Sequence, residues 1–257
     1  MGNPGFKDHF SGHSARYARA RPLYPDALFD HLAAISPARG TAWDCGAGSG
    51  QAAQGLASRF QAVIATDASV GQIAKSRPTP GVLFAAAAAE QAPIRDGGID
   101  LIAVGQALHW FDFPACFAEV RRVARPGGVF AAWCYGNCSV TQKIDGVYDR
   151  LYSGLVGPYW PPERAHIEDG YASIPIPFPP IPGPAFTMEA HWDLEEFLAY
   201  LGTWSAVQYY RKAKGEDPIA LIRPEMERAW GGPAETRRIA WPLTLKAGRV
   251  ESKEARA

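Results

Sequence analysis

The sequence predicts an α/β fold built on a parallel sheet with helices on both faces, and three observations carry that expectation. Short apolar runs such as "AVIAT" and "GVFAAWCY" have the length of buried strands. Stretches with apolar residues at helical spacing separate them, and this alternation marks βαβ units whose strands are covered on both sides. A glycine-rich turn, "GAGSG" at 46–50, joins one such run to the next amphipathic stretch.

Taken in order, "PDALFDHLAAI" from Pro25 sets Leu28, Leu32 and Ile35 at helical spacing, and Pro and Asp suit its first turn. "TAWDC" (41–45) is the first strand, followed by the glycine turn and a helix with Ala53, Leu56 and Phe60 on one side. "AVIAT" (62–66) is a second buried strand ending at Asp67, and Val70, Ile73 and Ala74 open another helix. "GVLFAAAAAEQ" is rich in alanine, which favours helix, but it is short and bounded by Pro80-Gly81 and Pro93. A strand running into a loop is expected there. A fourth strand falls near 99–104. "FDFPACFAEVRRVARPGG" gives a helix stopped by Pro126-Gly127-Gly128, and "GVFAAWCY" a fifth strand.

The pattern then breaks. Nine prolines from Pro158 to Pro184 rule out a helix or central strand in "IPIPFPPIPGP" and predict an extended excursion over the surface. It is either a stiff connector, the commoner role, or part of a lid. Beyond it, "PAFTMEAHW" reads as a strand, and Leu194, Phe197, Leu198, Leu201 and Trp204 share helical spacing. "PIALIRPEMERAW" is a helix that Pro224 should kink or split, and "RRIAWPLTLKAGR" a strand that Pro242 should make edge-like or bulged.

Composition excludes several classes. The 257 residues carry 26 basic and 26 acidic side chains, so a nucleic acid or an anionic membrane is not an expected partner. No stretch could span a bilayer and no export signal is evident, which predicts a cytoplasmic protein. Cys45, Cys116, Cys134 and Cys138 fit no disulfide framework. Cys134 and Cys138 are spaced like half a metal site, but no second pair completes it, so no metal is expected.

The glycine turn needs a reason. A strand, a tight turn and a helix N-terminus let a ligand approach bare backbone and unpaired N–H groups. Dinucleotide binders use G-x-G-x-x-G. Here Gly46 and Gly48 fit, but the third position falls on Gln51, which counts against a nicotinamide-dependent oxidoreductase. What fits is D-x-G-x-G-x-G: Asp44, Gly46, Gly48 and Gly50. This resembles the first motif of class I S-adenosylmethionine-dependent methyltransferases with a methyltransferase type 11 domain. "AAEQAPIRDGGIDLIAVGQALHW" is similar to the family's stretch from adenine loop to fourth strand, and "EVRRVARPGGVFAAW" to its following helix, turn and strand. Together these pieces cover roughly residues 40 to 135. The flanks "SGHSARYARARPLYPDALFDHL", "HWFD" and "YLGTWSAVQYYRK" resemble the trans-aconitate methyltransferase-like subgroup.

The resemblance implies a Rossmann-like, mixed but mostly parallel seven-stranded sheet with a helical and proline-rich cap over the substrate side. Residues 1–37 would cover the cofactor site, 38–138 would form the cofactor-binding core, and 139–257 would add the insertion, cap helices and last strands. It implies S-adenosylmethionine as cofactor, S-adenosylhomocysteine as product, and a small-molecule acceptor, such as an organic acid, methylated at oxygen by a monomer or homodimer. A non-catalytic protein that binds the cofactor is the alternative from another class.

Residue by residue, Asp44 would brace the loop near the methionine ammonium, and Gly46, Ala47 and Gly48 would present backbone to the amino-acid part. Asp67 would hold the ribose, or simply cap the next helix. Ala68, Ala89 and Glu90 would face the adenine, and the backbone near Gln106 the ammonium. An acidic residue that the family often places at the adenine is replaced by Ala88. Either Glu90 or main chain does its work, or packing alone holds the ring. Tyr17 and Arg21 would fold over the cofactor, with Arg21 suited to a carboxylate. His109, the catalytic candidate, is read as a general base, a hydrogen-bond donor to substrate, or a packed structural group. Trp110, Trp204 and Tyr209 would line the substrate pocket or serve as ordinary core.

Overall fold

The computed structural model describes residues 21–251, so Tyr17 lies outside the described residues. Seven strands form one sheet in the order β3-β2-β1-β4-β5-β7-β6. They are β1 (Thr41–Cys45), β2 (Ala62–Asp67), β3 (Val82–Ala86), β4 (Ile99–Gly105), β5 (Ala124–Tyr135), β6 (Phe186–Trp192) and β7 (Arg237–Arg249). The first five run parallel, and β7 is antiparallel to both β5 and β6. The helices are α1 (Asp26–Ile35), α2 (Gln51–Ala57), α3 (Val70–Ile73), α4 (Phe113–Val123) and α5 (Gln142–Asp149). After these come α6 (Arg164–Glu168), α7 (Leu194–Leu201), α8 (Ser205–Lys214) and α9 (Pro218–Trp230).

The strands alternate side chains between two cores, as a sheet covered on both faces must. Ala42, Leu101, Ala103, Val129, Ala131 and Trp133 pack with α1, α2 and the later helices. Trp43, Ile102, Val104, Phe130, Ala132 and Cys134 pack with α4 and with Tyr171, Ile174 and Phe178. All four cysteines are buried and free. Among the described residues no helix is long and apolar enough to cross a membrane.

Several expectations are corrected. The helix before the Pro-Gly-Gly turn ends at Val123, and β5 already begins at Ala124. The turn is a bulge within β5, where pairing jumps from Ile99↔Ala124 to Leu101↔Val129. Trp204 does not continue α7, which stops at Leu201; it precedes α8 instead. Pro224 neither splits nor ends α9. Its ring and Ala220, whose carbonyl loses a partner, both lie on the exposed side, while Ile219, Ile222, Met226 and Trp230 anchor the other side in the core.

Pro242 sits in a strand paired on both sides, opposite Thr187 of β6. Ala240 exchanges hydrogen bonds with Ser139, and β5 pairing resumes at Leu243↔Tyr135. Strand alternation therefore aims the missing N–H of Pro242 into the gap between these two contacts, where no ladder bond is lost. Over "IPIPFPPIPGP" the chain forms neither helix nor named strand, as expected, with one isolated bridge at Pro180; before it, Gly157–Tyr159 is a 3-10 turn and α6 follows.

Candidate active site

The sheet changes direction of growth at β1, whose neighbours are β2 on one side and β4 on the other. In open α/β sheets that switch opens a crevice at the carboxyl ends of the strands. Here the crevice is a cavity of about 790 Å³, within the range of small-molecule sites. Asp44 and Gly46 reach it from the end of β1, Asp67 from β2, Gly105 and Gln106 from β4, and Tyr135 from β5.

The three glycines of the turn differ in what requires them. All have left-handed φ (+74°, +57° and +89° at Gly46, Gly48 and Gly50), a conformation other residues rarely adopt. A Cβ on Gly46 would lie 2.7 Å from that of Ala107, and one on Gly50 would lie 2.7 Å from the Phe84 ring. A Cβ on Gly48 would meet nothing within 4 Å. Only Gly48 faces open space. The other two are dictated by the protein's own packing, so not every glycine is there for a ligand.

Asp44, 1% exposed, has one buried oxygen, Oδ2, without a hydrogen-bond partner among the described residues. Burial pushes its carboxyl up to about 7; the Ala53 amide opposes this and the nearby Asp67 charge adds to it. A buried acceptor without a partner is costly unless a cation or donor completes it. Asp67 braces the turn as well. Its Oδ2 accepts the Gly48 N–H at 2.8 Å and its Oδ1 the Ser69 N–H at 2.8 Å. Among the described residues, Gln106, with φ +54°, is the one cavity-lining residue other than glycine in the left-handed region. Its side chain is tied to the Tyr135 backbone by bonds of 2.8 and 3.1 Å.

Ala47, Ala68, Ala88, Ala89 and Glu90 all line the cavity. Glu90 Oε1 accepts the Asp112 N–H at 3.0 Å, and Asp112 caps α4 through Ala115 at 3.0 Å. The structure thus adds Asp112, also cavity-lining, as a second carboxylate at the edge where Ala88 supplies none. Arg21 and Tyr24 line the cavity from the segment before α1.

On the other side lie His109, Trp110 and Trp204. Tyr209, in α8, is not among the lining residues. His109 is 5% exposed, and its Nδ1 lies 3.1 Å from the Tyr171 hydroxyl. Burial, followed by the positive charges of Arg164 and His166, pushes its imidazole down to about 3. Which of Nδ1 and the Tyr171 hydroxyl donates is set by the imidazole tautomer. Nε2 has no hydrogen bond among the described residues.

Sequence reasoning missed Trp160, Arg164, Tyr148 and Tyr200, all cavity-lining. Trp160 and Arg164 belong to the stretch expected to be a connector, and their signal was the one tryptophan-arginine cluster inside the proline-rich run. Among the described residues no group of three metal-ligating side chains occurs.

Fold and crevice together define an α/β protein whose cavity runs from the buried carboxylate of Asp44 to an aromatic side lined by Trp110, Trp160 and Trp204. The methyltransferase-domain family model matches residues 43–132. A Dictyostelium discoideum protein named as a methyltransferase is 33% identical over 229 residues, which cover 88% of this chain and 87% of that protein. The methyltransferase AacuQ of Aspergillus aculeatus is 33% identical over 144 residues, 52% of this chain and 47% of its own. A solved structure from Anaeromyxobacter dehalogenans, named as a candidate type II methyltransferase, superposes with a TM-score of 0.85 at 47% identity, over 90% of this chain and 99% of that one. This chain belongs to the S-adenosylmethionine-dependent methyltransferases.

Proposed function

We propose that this enzyme methylates an oxygen of a small-molecule acceptor. The observation that carries the reading is continuity: one cavity of about 790 Å³ is lined by Asp44, Gly48 and Asp67 and also by His109, Trp160 and Trp204. A cofactor and a small acceptor fit such a volume together, whereas a macromolecular substrate needs an open face.

The residues fit the cofactor. Asp44 Oδ2 suits an ammonium, Gly48 offers bare backbone to the methionine part, and Asp67, a carboxylate at the end of β2, suits the ribose. Ala68, Ala89 and main chain at Ala88 suit the adenine, with Glu90 and Asp112 as acceptors for its amino group. Arg21 and Tyr24, before α1, line this end of the cavity, and Trp160, Arg164 and Trp204 line the acceptor side. The bound cofactor supplies a methyl group on a sulfonium, ready for in-line displacement. The chain's part is to align the acceptor and exclude water, which can be worth up to roughly 7–11 kcal/mol.

A neutral His109 that titrates near 3 is a poor base at neutral pH. It serves as a hydrogen-bond donor through Nε2, which suits an acceptor whose oxygen needs no deprotonation. Calorimetric titration with S-adenosylmethionine, S-adenosylhomocysteine and NAD tests the cofactor. Micromolar binding of the two sulfur nucleosides alone is expected. Binding of NAD alone, or unchanged affinity in Asp67→Ala, overturns the assignment.

A further inference from the structure

We propose that Arg164 is the anion clamp of the acceptor compartment and that the acceptor carries a carboxylate. The inference rests on the methyl-transfer reading above and names the substrate class that reading leaves open.

Arg164 opens α6 and lines the cavity. Eight other arginines of the described chain (such as Arg59, Arg122 and Arg223) hold a carboxylate. Arg164 forms no ion pair with any described residue. Glu163 lines the same cavity without bridging to it, and Glu168 takes the Tyr152 hydroxyl at 2.5 Å. What holds Arg164 leaves its charge intact. Its Nε donates to the Tyr152 hydroxyl at 3.0 Å, and its guanidinium carbon lies 4.7 Å from the Trp160 ring and 5.4 Å from the Tyr152 ring. One donor is used and two aromatic faces set the plane, while the terminal nitrogens keep the fork that matches a carboxylate in two parallel bonds.

The surroundings select the sign of the ligand. Trp160 packs on Trp204 with ring centroids 5.5 Å apart, and Trp204 meets Tyr148 at 5.3 Å. A box of aromatic faces would ordinarily draw an ammonium. Here the protein's own cation already occupies two of those faces, so an amine acceptor meets like charge. An acid with an apolar body meets a cation, the aromatic walls and the neutral imidazole of His109. A phosphate monoester would offer the same oxyanion chemistry, and the test separates the two.

The full-length enzyme with S-adenosylmethionine would be assayed for S-adenosylhomocysteine release on probes that share a skeleton. One set is phenylacetate, phenylacetamide, phenethylamine and phenyl phosphate; the other is hexanoate, hexanamide and hexylamine, with succinate and citrate added. Turnover confined to carboxylates is expected. Arg164→Gln should raise KM for the best acid at least 30-fold while the Kd for S-adenosylhomocysteine stays within threefold, and Arg164→Lys should recover part of the loss. The retained nucleoside affinity shows that the variant is folded. Preference for the phosphate, the amide or the amine overturns the carboxylate assignment, as does silence from every probe by an enzyme that binds S-adenosylmethionine. Arg164→Gln weakening nucleoside binding instead of acceptor KM would place Arg164 on the cofactor and refute the clamp. Failure of the wild type to bind the nucleosides would sink the methyl-transfer reading itself.

Discussion

Exchanging the turn glycines for alanine one at a time separates what folding requires from what the ligand requires. Both Gly46→Ala and Gly48→Ala force a Cβ into left-handed backbone (φ +74° and +57°), a strain of about 1–2 kcal/mol. They differ in what the new methyl meets. At position 46 it would lie 2.7 Å from Ala107 Cβ and 2.9 Å from the Phe111 ring, and such overpacking adds roughly 1–3 kcal/mol. At position 48 nothing stands within 4 Å. Gly48→Ala should therefore cost only the strain, about 1–2 kcal/mol, and lower Tm by roughly 2–8 °C at this chain length. Gly46→Ala should cost about 2–5 kcal/mol. Affinity should rank the other way for Gly48→Ala, because its methyl takes space proposed for the cofactor's methionine end, and Kd for S-adenosylhomocysteine should rise at least about tenfold, or 1.4 kcal/mol. Thermal melts and calorimetric titration of both variants read this out. Wild-type affinity in Gly48→Ala, or equal destabilisation by the two changes, would refute the assignment of open space at Gly48 to the cofactor.

Three further outcomes are expected. Asp44 titrates near 7 in the unliganded protein and must be ionised to receive an ammonium, so S-adenosylhomocysteine should bind roughly tenfold tighter at pH 8 than at pH 6. Asp44→Asn should flatten that profile in titrations across the range; a wild-type Kd independent of pH contradicts the pairing. His109, held neutral and titrating near 3 against an ordinary 6.5, acts on stability in the acid range. The unfolded chain takes up the proton first, so its contribution is complete above 6.5 and is lost as pH falls from there towards 3. Down to pH 4.5 the loss is about 2–3 kcal/mol. Denaturant melts of wild type and His109→Gln should differ in slope over that window, and parallel slopes would show that the imidazole is not buried neutral. Pro224→Ala should restore the hydrogen bond to the exposed Ala220 carbonyl and stabilise α9 by about 1–2 kcal/mol after the lost rigidity of the unfolded chain is counted. A lower Tm would mean that the ring packs against something essential.

The parallel half of the fold and the cofactor end of the site were legible in the sequence because both are local. A buried parallel strand is an apolar run whatever lies beside it, and Asp44, Gly46, Gly48 and Gly50 stand within seven residues. Their spacing alone separated this turn from the dinucleotide pattern. Local rules also set the limits of that reading. Pro224 was expected to kink or split its helix and Pro242 to make its strand edge-like or bulged, because propensity counts a missing N–H without knowing which way it points. The helix keeps Pro224 on its exposed side, and the strand aims the missing N–H of Pro242 into the gap in its pairing with β5 between Ser139 and Tyr135.

The acceptor end was decided by tertiary structure. His109 meets Tyr171 across 62 positions of chain, and its neutral state comes from burial and from Arg164 and His166, which no local pattern contains. The "connector" between the sheet halves supplies Trp160 and Arg164 to the cavity because β6 and β7 fold back to complete the sheet and carry it past the strand ends. The sequence by itself determined the strands, the glycine turn and the cofactor class, since these depend on neighbours along the chain. Only the tertiary structure decided which glycine faces open space, which carboxylates brace the turn and that Arg164 lines the pocket with no ion pair to a described residue, because each depends on distances between residues that the sequence keeps apart.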